Sequence, residues 1–214
     1  GVTTSRRLSI ARRMAGSSQC HAVLGFETPA LGDDAHLAYV MAAALFGEGM
    51  SSPLLDQIRE RRGLAYYTAC SADVLPLTGQ FVIEAATAPE QTEAFFVEVA
   101  QLLQAQAAGT DAVGFERARN QLTVRALRAL EQPSRRLETA AQEVFTFGAP
   151  RDGAATLARL QAVTPAQVQA AFTTMLASPA AVALAGSVPA RARTRAAELF
   201  GIGTAGDSDT GVDG

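Results

Sequence analysis

Lysine is absent from this 214-residue chain. All 18 basic side chains are arginine, set against 21 acidic ones, for a formal net charge of −3. Nucleic-acid binding usually needs a basic face, and this balance gives no sign of one. The exclusive use of arginine, beside abundant alanine, reads as composition bias of the coding sequence and not as chemistry. Histidine is almost absent: only His21 and His36 occur. Neither has a second histidine three or four residues away, so no helix can present the paired ligands that zinc needs. Both read as structural or solvated residues. H-x-x-E-H, H-E-x-x-H, the G-x-S-x-G nucleophile elbow, the P-loop and the dinucleotide fingerprint are all missing. No metal or cofactor site is therefore expected in this chain. No apolar run reaches the roughly 18 residues needed to cross a bilayer. Cysteine is limited to Cys20 and Cys70. Each falls in a strand pattern, so the two could be neighbours in one sheet. A disulfide is compatible with this, and two buried free thiols are the favoured reading.

What is present is an ordinary globular composition, 48% hydrophobic and 18% charged. The length suits one large domain or two small ones. Residues 1–16 carry Arg6, Arg7, Arg12 and Arg13 and no acid. They resemble a transit peptide in composition but read better as a linker from a preceding domain, with Gly1 left by cloning or by a cut in a longer chain. Residues 17–200 read as one domain, and 201–214, rich in Gly, Asp, Ser and Thr, as a disordered tail.

Periodicity supplies the elements. Cys20, Ala22, Leu24 and Phe26 alternate as in a strand. Asp33 can cap a helix to about Phe46, with Leu37, Val40, Met41, Ala44 and Leu45 on one face. Gly47 and Gly49 break it, and are expected to adopt backbone angles that a Cβ disfavours. Ser52 as cap and Pro53 at the first position open a short helix that stops at Gly63. Strands over 64–75 and 80–87, joined by a turn at 76–79, predict an antiparallel hairpin. Helices are expected over 89–108, 111–130 and 133–147, and again from Thr164-Pro165 to Leu176. A buried strand over 180–188 and a short helix over 191–200 complete the chain. Strands and helices mix without strict alternation. This predicts an α+β two-layer sandwich, helices on one face of a mainly antiparallel sheet.

The densest signal is the run 45–67, LFGEGMSSPLLDQIRERRGLAYY. Arg59, Arg61, Arg62 and Tyr66 gather where its helix gives way to a strand. Arginine is permanently charged and presents a planar set of donors, and tyrosine adds an O–H. Together they could grip a carbonyl oxygen or oxyanion. On spacing alone, the favoured reading has the arginines solvating a helix face and Tyr66 filling the core.

This run resembles the C-terminal-domain motif of M16 (pitrilysin/insulinase-like) metallopeptidases, G-x-G-x-x-S followed by L-x-x-x-[IV]-R-x-x-x-G-L-x-Y. The matching residues are Gly47, Gly49, Ser52, Leu54, Ile58, Arg59, Gly63, Leu64 and Tyr66. The segments 78–83 (TGQFVI), 131–136 (EQPSRR) and 163–168 (VTPAQV) resemble the family's next strand, interrupted helix pair and late helix start. The resemblance implies a half-domain of LuxS/MPP-like fold without zinc ligands, inactive alone. It would face a homologous H-x-x-E-H half, on the same polypeptide or a separate subunit, that carries the zinc and closes a chamber around a peptide substrate. It also implies that Arg59 and Tyr66, seven residues apart, reach the substrate, with Arg61 and Arg62 as supporting surface charge. Strand alternation would turn Tyr67 to the opposite face, leaving Tyr66 for the role. Many relatives carry Arg where this chain has Pro53, so any partner contact made by that Arg would be lost. A non-catalytic scaffold of the same fold is the alternative.

Overall fold

The computed structural model describes residues 9–202. Strand Cys20–Thr28 (β2) shows why the molecule is layered. Its buried and exposed residues alternate, so one face must pack and the other can meet water. β2 pairs antiparallel on one side with Gly79–Thr87 (β4) and on the other with Ala180–Gly186 (β5). Tyr67–Val74 (β3) forms the predicted hairpin with β4 and lies at one edge of the sheet. Ser9–Arg13 (β1) forms the other edge, parallel to β5, in the order β1-β5-β2-β4-β3.

The helices are His36–Gly47 (α1), Thr92–Ala108 (α2), Ala112–Glu131 (α3), Pro133–Phe147 (α4), Gly153–Gln161 (α5), Pro165–Ala177 (α6) and Ala192–Phe200 (α7). An aromatic cluster joins the two layers. Phe81 of β4 has ring centroids 6.3 Å from Phe46 of α1, 6.2 Å from Phe172 of α6 and 6.3 Å from Phe26 of β2. Such separations suit edge-to-face and tilted packing. The opposite face of the sheet is open, with His21, Val23, Glu27, Glu84 and Ala183 exposed. The expected α+β sandwich is therefore the fold.

The structure corrects several local readings. Ser9–Arg13, assigned to a linker, is an edge strand. All but its first residue are exposed, so no alternation marks it. Gly201 and Ile202, assigned to the tail, close α7 instead. Gly201 takes φ +63° and the Ile202 amide donates to the Ala197 carbonyl at 2.9 Å. The rest of that tail and residues 1–8 lie outside the described residues. Helix α5 was not anticipated. Glycine opens it and only Leu160 on it is buried, so its pattern is faint; the Asp152 carboxylate caps it, accepting from the Ala154 amide at 3.1 Å. Helix α1 is buried on every side from Met41 to Phe46 and not along one stripe, because α3, α6 and β3 all pack on it. Helix α1 starts at His36 with Ala35, not Asp33, at its cap position. Outside the run 45–67, the other helix and strand positions follow the sequence reading, including the capping box in which Thr164 and Gln167 bond each other's backbone amides.

Candidate functional site

The run 45–67 folds around two buried anchors, Leu54 and Ile58, both with no exposed surface. Between them the chain leaves α-helical geometry. Leu55–Arg61 is a π-helix, in which the Arg62 amide donates five residues back to the Gln57 carbonyl at 3.1 Å. π-turns are rare and occur often at functional sites. Ser52 does not cap this helix as expected. Its hydroxyl is buried and finds no hydrogen-bond partner among the described residues, while its carbonyl accepts from the Asp56 amide at 2.9 Å. Gly63, at φ +57°, then reverses the chain, as predicted for a glycine stop.

The two glycines before the π-helix have different reasons to be there. Gly49 takes φ +87°, as expected. Gly47 does not have a positive φ. Its place is explained by close approach, since a Cβ there would overlap the Cβ of Cys70 on β3. The turn is also held from α3. Arg117 donates to the Ser51 hydroxyl at 3.0 Å and to the Leu45 carbonyl at 2.9 Å, and Arg125 pairs with Glu48.

Arg59 leaves the π-helix exposed, and Tyr66 is 62% exposed. Tyr66 therefore does not fill the core. Neither side chain forms a hydrogen bond or ion pair with another described residue. The strand begins at Tyr67, not at Leu64. Tyr66 sits in a bend just before it, with its amide donating to the Ala86 carbonyl at 2.8 Å. Strand alternation thus does not reach Tyr66, and the argument that set Tyr67 aside loses its basis. Tyr67 is also exposed, at 51%. Two open grooves, of about 650 Å³ beside Glu48, Gln121, Arg125 and Arg128 and about 350 Å³ beside Asp34 and Arg159, are not lined by Arg59 or Tyr66.

Arg61 and Arg62 differ from each other. Arg61 pairs at 2.9 Å with Asp56 on the same turn and stays at the surface. Arg62, read from sequence as surface charge, pairs with Glu98 of α2, a largely buried carboxylate. No local pattern could have shown this pair, because its partners lie 36 residues apart. The Arg117 and Arg125 contacts escaped sequence reading for the same reason.

Both cysteines are free. Burial pushes the Cys70 thiol well up from its ordinary pKa. Burial also raises that of Cys20, partly offset by a hydrogen bond with Thr92. Among the described residues no three His, Cys, Asp or Glu side chains gather in a group able to hold a metal ion. His21 is exposed on β2, and His36 donates from Nδ1 to the Asp33 carbonyl at 2.7 Å. The residues present do not fit a zinc site. No helix among the described residues is long and apolar enough to cross a membrane.

Comparison with known proteins places this geometry. A family profile described as the peptidase M16 inactive domain matches residues 4–122. An uncharacterized zinc protease of Mycobacterium tuberculosis is 29% identical over 170 residues, covering 79% of this chain and 38% of the relative. The chain thus spans well under half the length of that relative. Among solved structures, a peptidase M16 inactive domain from Pseudomonas fluorescens superposes with a TM-score of 0.71 at 18% identity, over 85% of this chain and 44% of that one. A chain of complex III2 from Candida albicans superposes with a TM-score of 0.77 at 13% identity, over 87% of this chain and 48% of that one. At these identities the structural likeness shows the fold alone.

Proposed function

The chain belongs to the peptidase M16 inactive-domain family, and from that premise we propose that it is the half of a zinc peptidase that positions the peptide without binding the metal. The zinc and the general base would come from an H-x-x-E-H half, on the same polypeptide or a separate subunit. The observation that carries this reading is the presentation of Arg59 and Tyr66. A π-turn and a left-handed glycine lie between them in the chain, and both side chains are exposed with no hydrogen bond or ion pair to another described residue. Free donors on a fixed backbone suit an oxygen supplied from outside the domain. Their role would be to donate hydrogen bonds to a peptide carbonyl as negative charge develops on it. Tyr67 is a second phenol within reach of the same edge. The open sheet face beside it would serve as one wall of the peptide chamber.

A chain of complex III2 shares this fold, and the second reading is a scaffold of the same fold without catalysis. The two readings separate in a mixture of this chain with the H-x-x-E-H half encoded upstream or in the adjacent reading frame. Cleavage of a quenched fluorogenic peptide should fall about 10²-fold for Tyr66→Phe, the scale for one oxyanion donor, and comparably for Arg59→Ala. Full activity in both variants would remove the catalytic role. A stable complex without cleavage would favour the scaffold.

A further inference from the structure

The mechanism proposed above needs Arg59 and Tyr66 at fixed separation, yet the chain between them contains a π-turn and a left-handed glycine, Gly63. Beyond the bonds inside the π-helix, three further backbone hydrogen bonds among the described residues restrain it. The Arg62 amide donates to the Gln57 carbonyl at 3.1 Å, the Leu64 amide to the Ile58 carbonyl at 2.8 Å, and the Tyr66 amide to the Ala86 carbonyl at 2.8 Å. The first two close the π-helix on itself, and the third ties Tyr66 to the sheet. None of them ties the turn between Arg59 and Gly63 to the helical layer. Ile58 and Leu64 on either side of the turn are buried in the core, and among the described residues the polar side-chain link from the turn itself to α2 is the ion pair of Arg62 with Glu98.

Glu98 stands on a turn of α2 otherwise given to the core, between the buried Phe95, Phe96 and Val99. Its side chain is 10% exposed, and Arg62 is the one partner it has among the described residues. A carboxylate in such a place is costly to desolvate, and a well-packed apolar residue often serves stability as well or better. What the pair supplies that an apolar contact cannot is direction. A planar guanidinium fixes its donors against a carboxylate in few geometries. Arg62 lies three residues after Arg59 and four before Tyr66, so holding it restrains the stretch that joins them.

We infer that Glu98, acting through Arg62, is a positioning residue that holds the Arg59–Tyr66 segment in register, and that this is why a charge is kept in the α2 core face. The inference rests on the proposed role of Arg59 and Tyr66 for its kinetic consequence, but not for its structural one. Amide hydrogen exchange on the full chain tests the structural part. Glu98→Gln and Arg62→Ala should each speed exchange at Leu64 and Tyr66 at least tenfold. Amides in α1 and β4 should stay unchanged, and the charge swap Arg62→Glu with Glu98→Arg should restore protection. Glu98→Gln removes the buried charge with little change of shape, so it is expected to fold even if Arg62→Ala, which leaves the Glu98 carboxylate buried and unpaired, does not. Unchanged protection at Leu64 and Tyr66, or uniform loosening of the whole chain, would overturn the inference. In the mixture with the H-x-x-E-H half, Arg62→Ala should lower kcat about tenfold with KM within twofold. Unchanged kcat in a mixture that does respond to Tyr66→Phe would also overturn it. A mixture that responds to neither variant would count against the proposed function, and the exchange result would still decide the clamp.

Discussion

Helices α1 and α4 are similar in length and opposite in surroundings. From Met41 to Phe46 every residue of α1 is buried, under α3, α6 and β3. Not one described side chain of α4 is buried, and Leu137 and Phe145 are 73% and 72% exposed. Sequence pattern predicts cover for both. α4 has the clear apolar stripe that marks a helix lying on a core, and α1 has apolar residues all round. The difference shows that amphipathicity records the need for a partner surface, not whether this domain provides it. α1 meets that need inside the sandwich; α4 touches little beyond α3.

If that contrast is right, substitutions should hurt most where α1 meets the sheet. Phe81→Ala removes the ring shared by β2, α1 and α6, and should destabilise the chain by about 3–5 kcal/mol, measured by urea unfolding. Gly47→Ala should cost about 1–3 kcal/mol through overpacking against Cys70, and its strain should be relieved in part by Cys70→Gly. Gly63→Ala meets no neighbouring atom but must hold φ +57°, so about 1–2 kcal/mol is expected from the left-handed backbone alone. Leu137→Ala on α4 should change stability by less than about 0.5 kcal/mol. A loss of several kcal/mol there would show that α4 belongs to the folding core and would break the comparison.

The thiols sharpen the same contrast through pH. Both have pKa values raised by burial in the folded chain. Well below about pH 8.5 neither folded nor unfolded thiol ionises appreciably and stability is unaffected. As pH rises above it, the unfolded thiols lose protons first and stability falls. Chemical denaturation between pH 7 and 10 should show this decline, and a Cys20→Ser, Cys70→Ser variant should show less of it.

How much of this was legible beforehand follows from the range of each interaction. Strand β2 announces itself because four alternating residues carry the pattern, and α6 because Thr164, Pro165 and Gln167 form a local start signal. β1 stayed hidden because its pairing with β5 reaches across more than 170 residues and leaves its side chains exposed. The candidate site was visible as Gly47, Gly49, Arg59, Gly63 and Tyr66, whose spacing is local. The π-turn was not visible, since the same residues read equally well as an α-helix. Nor was the Arg62–Glu98 pair, which exists only once α2 is laid beside the turn.

The central claim is that this domain supplies substrate-positioning groups and depends on another half for the metal. Cleavage of a quenched fluorogenic peptide, with added zinc, tests it most directly. The account predicts no cleavage by this chain alone and cleavage when the H-x-x-E-H half is added. Zinc-dependent cleavage by this chain alone would contradict it.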